Sequence, residues 1–335
     1  MDIFIPTSKK KDAIVGPLSM VTWVTNEAQQ VSKILCNGYH QTQDEWREPT
    51  SESYEGWNNY FGFDESCKWK YARFDKQGAG KNVGIRIIHP DDFYPAIRPT
   101  YEGLYKGGAT ISCPIQDISR HEAEMSDLGI ESTIGIKEME FESPSGETYI
   151  SSEIVYKGPD NIFVLGVTRP EIFIPIGPVD EDIGLGGVAY SARCISETKN
   201  TIDFFEQVLG FEIRRDVKFD IDSRSAINLP EGISERFIQG FSPGSSSGYV
   251  VFMDHGEETK YPEIDCYSAP YRGIVMWSFP TLNLDEIFER AVGFGVEILH
   301  SPNNYMSPAL AARRSFVLKD PDGFQIEIFE NQSSI

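Results

Sequence analysis

Between residues 202 and 211 the chain reads IDFFEQVLGF, with Ile202, Phe205, Val208 and Leu209 on one helical stripe and Gly210 as a stop. The spacing predicts a helix that ends in a turn. Ahead of it, residues 188–195 (VAYSARCI) predict a strand. Behind it come EIRRDVKFDI, SAINLP, RFIQGF and GYVVFMD, short β-prone runs broken by Gly, Pro and Ser. The local order is strand, helix, then several strands.

That order returns downstream. Residues 273–279 (GIVMWSF) predict a strand, residues 282–295 (LNLDEIFERAVGFG) an amphipathic helix closed by glycine, and VEIL, RRSFVLKD and QIEIFE further strands. It can be traced twice more upstream. One copy is GATISCPI, DISRHEAEMSDLG, IESTIGIKEMEF, TYISSEIVY and NIFVLGVTR; the other, weaker copy is LSMVTWVT, EAQQVSKILCNG, KWKYARFD and NVGIRIIH. Four βαβββ modules therefore account for most of the chain, an α+β architecture. The Pro- and Gly-rich stretch TRPEIFIPIGPVDEDIGLGG lacks periodicity and predicts a covalent tie between modules 2 and 3. The expected division is 1–177 with modules 1 and 2, and 178–335 with modules 3 and 4.

Composition narrows the partners more than it alters this scheme. A chain of 335 residues with 40% apolar side chains has enough material for two cores. With 51 acidic and 30 basic side chains its formal charge is −21, so nucleic acid and anionic membranes are expected to be repelled. The N-terminal stretch MDIFIPTSKKKDAIVGP lacks the pattern of a secretion signal, and a cytoplasmic location is the expectation. Cys36, Cys67, Cys113, Cys194 and Cys266 are scattered and never paired as CxxC, which points to packing residues. The insertion DEWREPTSESYEGWNNYFGFDES (residues 44–66) is turn-like yet crowded with Trp46, Tyr54, Trp57, Tyr60 and Phe61. It is expected to close over a neighbouring domain or a second subunit, a homodimer, with a ligand lid as the alternative.

Three stretches carry a family resemblance: GGVAYSARCIS followed by TIDFFEQVLGFEI, the passage DEIFERAVGFGVEI, and above all FVLKDPDGFQIEIFE. They resemble the vicinal-oxygen-chelate superfamily of glyoxalases, bleomycin resistance proteins and extradiol dioxygenases. The turn in the last stretch also has its own physics. Pro321 fixes φ, Asp320 and Asp322 can bond local N–H groups, and Gly323 can adopt positive φ. The resemblance implies two domains with curved, cup-like sheets. In the extradiol dioxygenase layout the C-terminal pair of modules houses the reaction.

Metal-using relatives place His, Glu or Gln on the first and last strands of a module. Here the last-strand slot of module 4 is Glu327, but its first-strand partner falls near Ile274. The slots of module 3 fall between Gly187 and Tyr190 and near Val251 or Phe252. Those of module 2 fall near Thr110 and Leu165, and those of module 1 near Leu18 to Met20 and at Arg86. The usual ligand set is missing, and no cofactor is expected. His40, His89, His121, His255 and His300 do not rebuild it; a remodelled set would combine Glu327 with His300 or His255, with Fe or another divalent metal as the alternative cofactor.

Without metal, the C-terminal cup can still work by positioned acid and base groups. Glu327 shares a strand face with Gln325 and Phe329 and is the leading base; it is equally readable as a structural carboxylate. Tyr190 and Trp277 sit on first strands where they can contact a flat ligand, or simply pack. Phe252 joins them as a wall residue. His300, Tyr305 and Arg313 belong to a long connection expected at the cavity mouth, where Arg313 or Arg314 can clamp an anion. The first expectation is a metal-independent lyase or isomerase acting on a small aromatic or keto compound. Alternatives are a metal-dependent ring-cleaving dioxygenase and a protein that sequesters a small molecule unchanged.

Overall fold

The computed structural model describes residues 3–4, 12–50, 54–80, 82–142, 148–169, 176–221, 226–227, 229–261, 267–303, 310 and 314–331. Module 1 starts with strand Met20–Val24 and helix Ala28–Ser32, which widens into a π-turn over Lys33–Gly38. Strands Thr42–Gln43, Trp69–Asp75 and Gly84–Pro90 follow. Module 2 contains strand Gly107–Pro114, helix Ile118–Asp127 and strands Lys137–Glu142, Thr148–Lys157 and Phe163–Thr168. Module 3 contains strand Tyr190–Cys194, helix Thr198–Gln207 and strands Glu212–Asp220, Ser234–Phe241 and Tyr249–Asp254. Module 4 contains strand Gly273–Thr281, helix Leu284–Phe294 and strands Glu297–Asn303, Ser315–Lys319 and Gln325–Glu330.

The local signals act as expected. Asn283 accepts from the Glu286 amide at the start of the last helix, and Gly295 takes φ 88° at its end. Gly210 closes the module 3 helix region with φ 71°. Two segments depart from their predicted form. In SAINLP, Ala226 and Ile227 form a turn instead of a strand. The aromatic insertion, read as turn-like, contains a helix over Tyr54–Phe61.

The modules do not pair in consecutive couples. Strand Gly107–Pro114 of module 2 lies antiparallel to Tyr190–Cys194 of module 3, giving a nine-stranded sheet. Met20–Val24 of module 1 lies antiparallel to Gly273–Thr281 of module 4, giving an eight-stranded sheet. Each sheet thus draws on both sides of residue 178, which corrects the division into 1–177 and 178–335 as separate sheets.

The physical reason lies on the outer faces of the first strands. Trp23 donates from Nε1 to Asp160 Oδ2 (2.9 Å) in the turn of module 2. Arg193 of module 3 pairs with Asp320 in the turn of module 4, both side chains fully buried. These contacts set consecutive modules back to back, so each first-strand edge is left to a module from the other half of the chain. Between the backs runs one continuous apolar layer that includes Trp23, Ile87, Phe205, Phe252, Trp277 and Ile326.

The DPDG turn does more than join two strands. Asp320 Oδ1 accepts from the amides of Asp322 (3.1 Å) and Phe324 (3.0 Å), with Gly323 at φ 86°. Asp322 Oδ1 accepts from the amides of Ser196 and Glu197, each at 2.9 Å, at the start of the module 3 helix. Lys106 Nζ reaches the same oxygen at 3.2 Å. Asp160 plays the matching part in module 2, where Arg272 Nη1 lies 2.6 Å from its Oδ1.

Candidate functional site

Both sheets curl away from the shared layer and form a cup each. Their registers correspond residue by residue. In one sheet Thr110 lies opposite Ala192, Ser112 beside Leu165 and Ala192 beside Val251. In the other, Met276 lies opposite Thr22, Ser278 beside Glu327 and Thr22 beside Arg86. Leu165 therefore stands where Glu327 does, and Val251 where Arg86 does. Similar backbones carry different chemistry.

The cup of modules 1 and 4 is sealed. Arg86 and Glu327 are both fully buried, with Nη2 3.0 Å from Oε2. Ser278 Oγ donates to the same carboxylate oxygen at 2.5 Å, and Tyr60 Oη donates to Oε1 at 2.5 Å. Arg86 also donates to Thr22 Oγ1 at 2.7 Å and lies 5.1 Å from the centre of the Phe61 ring. Tyr60 and Phe61 come from the insertion helix, which fills the cup with Phe63 and Trp69. Burial, and next the Glu327 charge, holds the Tyr60 phenol well above its ordinary range. The insertion closes over the chain's own sheet, and Glu327 is committed to a buried network.

His300 lies outside this network: its ring stacks on Tyr60 at 5.4 Å and its Nε2 is 2.7 Å from the Asn59 carbonyl oxygen. Trp277 and Phe252, expected to line a cup, face the layer between the sheets; Trp277 Nε1 donates to Ser191 Oγ at 3.0 Å. Alternation alone would put Ile274, the expected slot, on the cup side with Met276 and Ser278, but a register irregularity between Ile274 and Met276 turns Ile274 toward the layer between the sheets. Tyr305 and Arg313 lie outside the described residues. Arg314 is on the surface, 2.7 Å from Asp285.

The cup of modules 2 and 3 is open. It holds a cavity of about 400 Å³ whose floor includes Thr110, Leu165, Ala192 and Val251. Tyr190 lines its wall and stacks on Tyr249 at 4.7 Å. The connection of module 3 that corresponds to the insertion is shorter: residues 221–233 lie between Glu212–Asp220 and Ser234–Phe241, whereas residues 44–68 lie between Thr42–Gln43 and Trp69–Asp75 in module 1. Ala226, Ile227 and Leu229 close part of the mouth.

The polar groups of this cup lie on the middle strands and beside them. Glu153 projects from Thr148–Lys157, Glu235 from Ser234–Phe241 and Arg215 from Glu212–Asp220; Arg169 follows Phe163–Thr168. Arg169 Nε donates to Ser151 Oγ at 3.1 Å. Burial raises the Glu153 carboxyl above the usual range; Arg169 and Arg215 oppose the rise and Glu235 adds to it. Glu235 is itself held by His255 Nε2 at 3.1 Å. Burial works against a charge on His255, but Cys194 and Glu235 outweigh it and push the imidazole up to about 10.

A metal does not fit either cup as these residues stand. The strand-centre positions of the open cup carry Leu165, Val251, Ala192 and Thr110, none of them a ligand comparable to His or carboxylate. In the sealed cup the single carboxylate faces a guanidinium. The remodelled set is not assembled: His255 lies with Glu235 in the other sheet, and Tyr60 is bonded to Glu327 and stacked on His300. Among the described residues no three His, Cys, Asp or Glu side chains converge into a metal-holding group. No helix among them is long and apolar enough to cross a membrane.

Sequence and fold comparisons agree with this architecture. Residues 187–328 match the model of the Glyoxalase/Bleomycin resistance protein/Dioxygenase superfamily. Among curated proteins no sequence matches the chain. Glyoxalase I from Zea mays superposes with a TM-score of 0.62 at 11% identity, covering 94% of this chain and 92% of the maize chain. A point mutant of that maize enzyme gives 0.63 at 12% identity with the same coverages. A protein of Bacillus subtilis subsp. subtilis str. 168 gives 0.56 at 12% identity, covering 97% and 87%. At these identities the likeness is one of fold. Residues 187–328 thus match the Glyoxalase/Bleomycin resistance protein/Dioxygenase superfamily, within a chain whose paired βαβββ modules share the fold of maize glyoxalase I.

Proposed function

We propose that the protein takes a small, largely apolar organic molecule into the cup of modules 2 and 3 and acts on it without a metal, as a lyase or isomerase working by proton transfer. The observation that carries this reading is the half-buried carboxylate of Glu153 beside an apolar floor in the one cup that the insertion does not fill. Glu153 takes the place first given to Glu327, whose oxygens are already engaged by Tyr60, Ser278 and Arg86.

A carboxylate held above its usual pKa range is a stronger base toward a carbon-bound proton. Removing such a proton next to a carbonyl leaves an enolate, whose charge Arg169 or Arg215 offsets from the cup wall. Return of the proton to a different atom completes an isomerisation; departure of a β-substituent completes an elimination. Tyr190 supplies a phenol on the same wall.

Phenylpyruvate, a keto acid with an acidic methylene, is a suitable probe. The protein is expected to bind it and to accelerate exchange of its methylene hydrogens with deuterated water, followed by NMR. Glu153→Gln is expected to keep the binding and lose the acceleration. Binding with no acceleration by the unaltered protein would sink the catalytic reading and assign the cup to sequestration.

A further inference from the structure

Glu235 and His255 form a pair of which one member reaches the open cup. Glu235 lines the cavity from strand Ser234–Phe241, whereas the fully buried His255 side chain stands behind the wall. The imidazole Nε2 is 3.1 Å from Glu235 Oε2, and with its titration pushed up to about 10 the ring is charged at neutral pH. One carboxylate oxygen is thereby tied backward. The other, Oε1, has no donor among the described residues and is left to the cavity, although the Glu235 side chain is only 5% exposed.

A carboxylate oxygen carries lone pairs that call for donors. Facing water, such an oxygen is satisfied. Under a ligand that fills the cup it is satisfied only when the ligand brings a donor of its own, so a molecule of the same shape without one is rejected. The surroundings are apolar: Phe237, two residues along the strand, has Val217 and Met253 opposite it on the neighbouring strands, and all three line the cavity.

The sealed cup shows such an arrangement completed. There Glu327 Oε2 holds the Arg86 guanidinium, and Oε1 accepts from the Tyr60 hydroxyl at 2.5 Å. A cation on one oxygen and a ring-borne hydroxyl on the other satisfy that carboxylate from within the chain. Glu235 has its cation, His255, and lacks the hydroxyl. The two carboxylates do not hold equivalent positions, Glu327 lying on a last strand and Glu235 on a middle one. The likeness is in the bonding, and Tyr60 displays the kind of group that Glu235 Oε1 is left to accept from.

We infer that the cup of modules 2 and 3 holds its ligand, a compact apolar molecule, through a neutral hydroxyl that donates to Glu235 Oε1, with the apolar body over Leu165, Val251 and Ala192. This rests on the reading that the open cup is the binding site, and it goes further by naming the group that the ligand must carry. Glu235 binds the molecule; Glu153 keeps the part of the base.

Three probes with one ring system test it by equilibrium dialysis against the full chain: 2-naphthalenemethanol, its methyl ether and 2-methylnaphthalene. Only the first carries a donor. It is expected to bind about tenfold or more tightly than either of the others, equivalent to about 1.4 kcal/mol. Glu235→Met is expected to remove that preference and to leave the affinity for 2-methylnaphthalene within about twofold, with thermal unfolding checking the fold. Glu235→Gln, closer in shape, is expected to cut the preference about threefold or more and decides the matter if the Met variant does not fold. Val251→Trp, which fills the floor, is expected to abolish binding of all three. Glu153→Gln is expected to keep the preference while losing hydrogen exchange in phenylpyruvate, which separates this inference from the catalytic reading. Equal affinities that Val251→Trp abolishes would overturn the hydroxyl assignment and keep the cup as the site, as would a preference undiminished in the folded Glu235 variants. Binding that Val251→Trp leaves unchanged would overturn both.

Discussion

Arg86 and Glu327 lie 241 residues apart in the sequence and meet in one cup, with Nη2 3.0 Å from Oε2 and neither side chain exposed. The two strands are brought together because the first strands of modules 1 and 4 pair antiparallel. Removing one charge strands the other in a desolvated site. Glu327→Ala is therefore expected to lower stability by about 3–5 kcal/mol in urea unfolding, while phenylpyruvate binding in the other cup persists in the folded protein. Loss of that binding in a folded variant would link the two cups and contradict their separation.

Tyr60 seals the same network with its hydroxyl. Tyr60→Phe keeps the ring and removes one donor to Glu327, with an expected loss of about 1–3 kcal/mol. Chemical denaturation measures it. A neutral result would show that Ser278 and Arg86 satisfy the carboxylate by themselves.

The latch between modules 3 and 4 depends on another buried pair. Arg193 is fully buried against Asp320 and lies 4.7 Å from the centre of the Phe324 ring. Arg193→Met fills the same space but leaves Asp320 without its cation. The expected cost is about 3–5 kcal/mol. Asp320→Asn in the same background is expected to recover part of it.

Two buried histidines should bend the stability curve in opposite directions. His255 is pushed up to about 10 from an ordinary value of 6.5. Its contribution is fully present below pH about 6.5 and is lost as pH rises through about 10. His121 is lowered to about 4, chiefly by burial among Tyr39 and Tyr156. Its contribution is present above pH about 6.5 and is lost as pH falls through about 4. Unfolding midpoints across pH, compared with those of His255→Gln and His121→Phe, should show each variant flattening its own limb only.

The order of elements was legible because each module repeats the same signals: an amphipathic stripe, a glycine stop and β-prone runs. Pairing was not, since antiparallel contact between first strands leaves no periodic mark. It depends on Trp23 and Arg193 reaching the turns at Asp160 and Asp320, contacts that span more than a hundred residues. The cup face of Glu327 followed from alternation with Gln325 and Phe329. That the face was already covered did not, because Tyr60 arrives from an insertion outside the repeated strands and helices.

The open cup is hard to read from sequence for a related reason. Family resemblance directs attention to first and last strands, and there this chain has Leu165, Val251 and Ala192. Glu153 and Glu235 lie on middle strands. Their signal was present in TYISSEIVY and SERFIQGF, where an acidic residue shares a strand face with apolar ones: Glu153 with Val155, Glu235 with Phe237.

The nesting of the two sheets sets a sequence of assembly during synthesis. Modules 2 and 3 are neighbours along the chain, so their sheet can close while module 4 is still being made. Module 1 must wait, its first-strand edge unpaired, until strand Gly273–Thr281 leaves the ribosome. The inner sheet, with the open cup, is born early; the outer one, with the plugged cup, acts as a clasp fastened last.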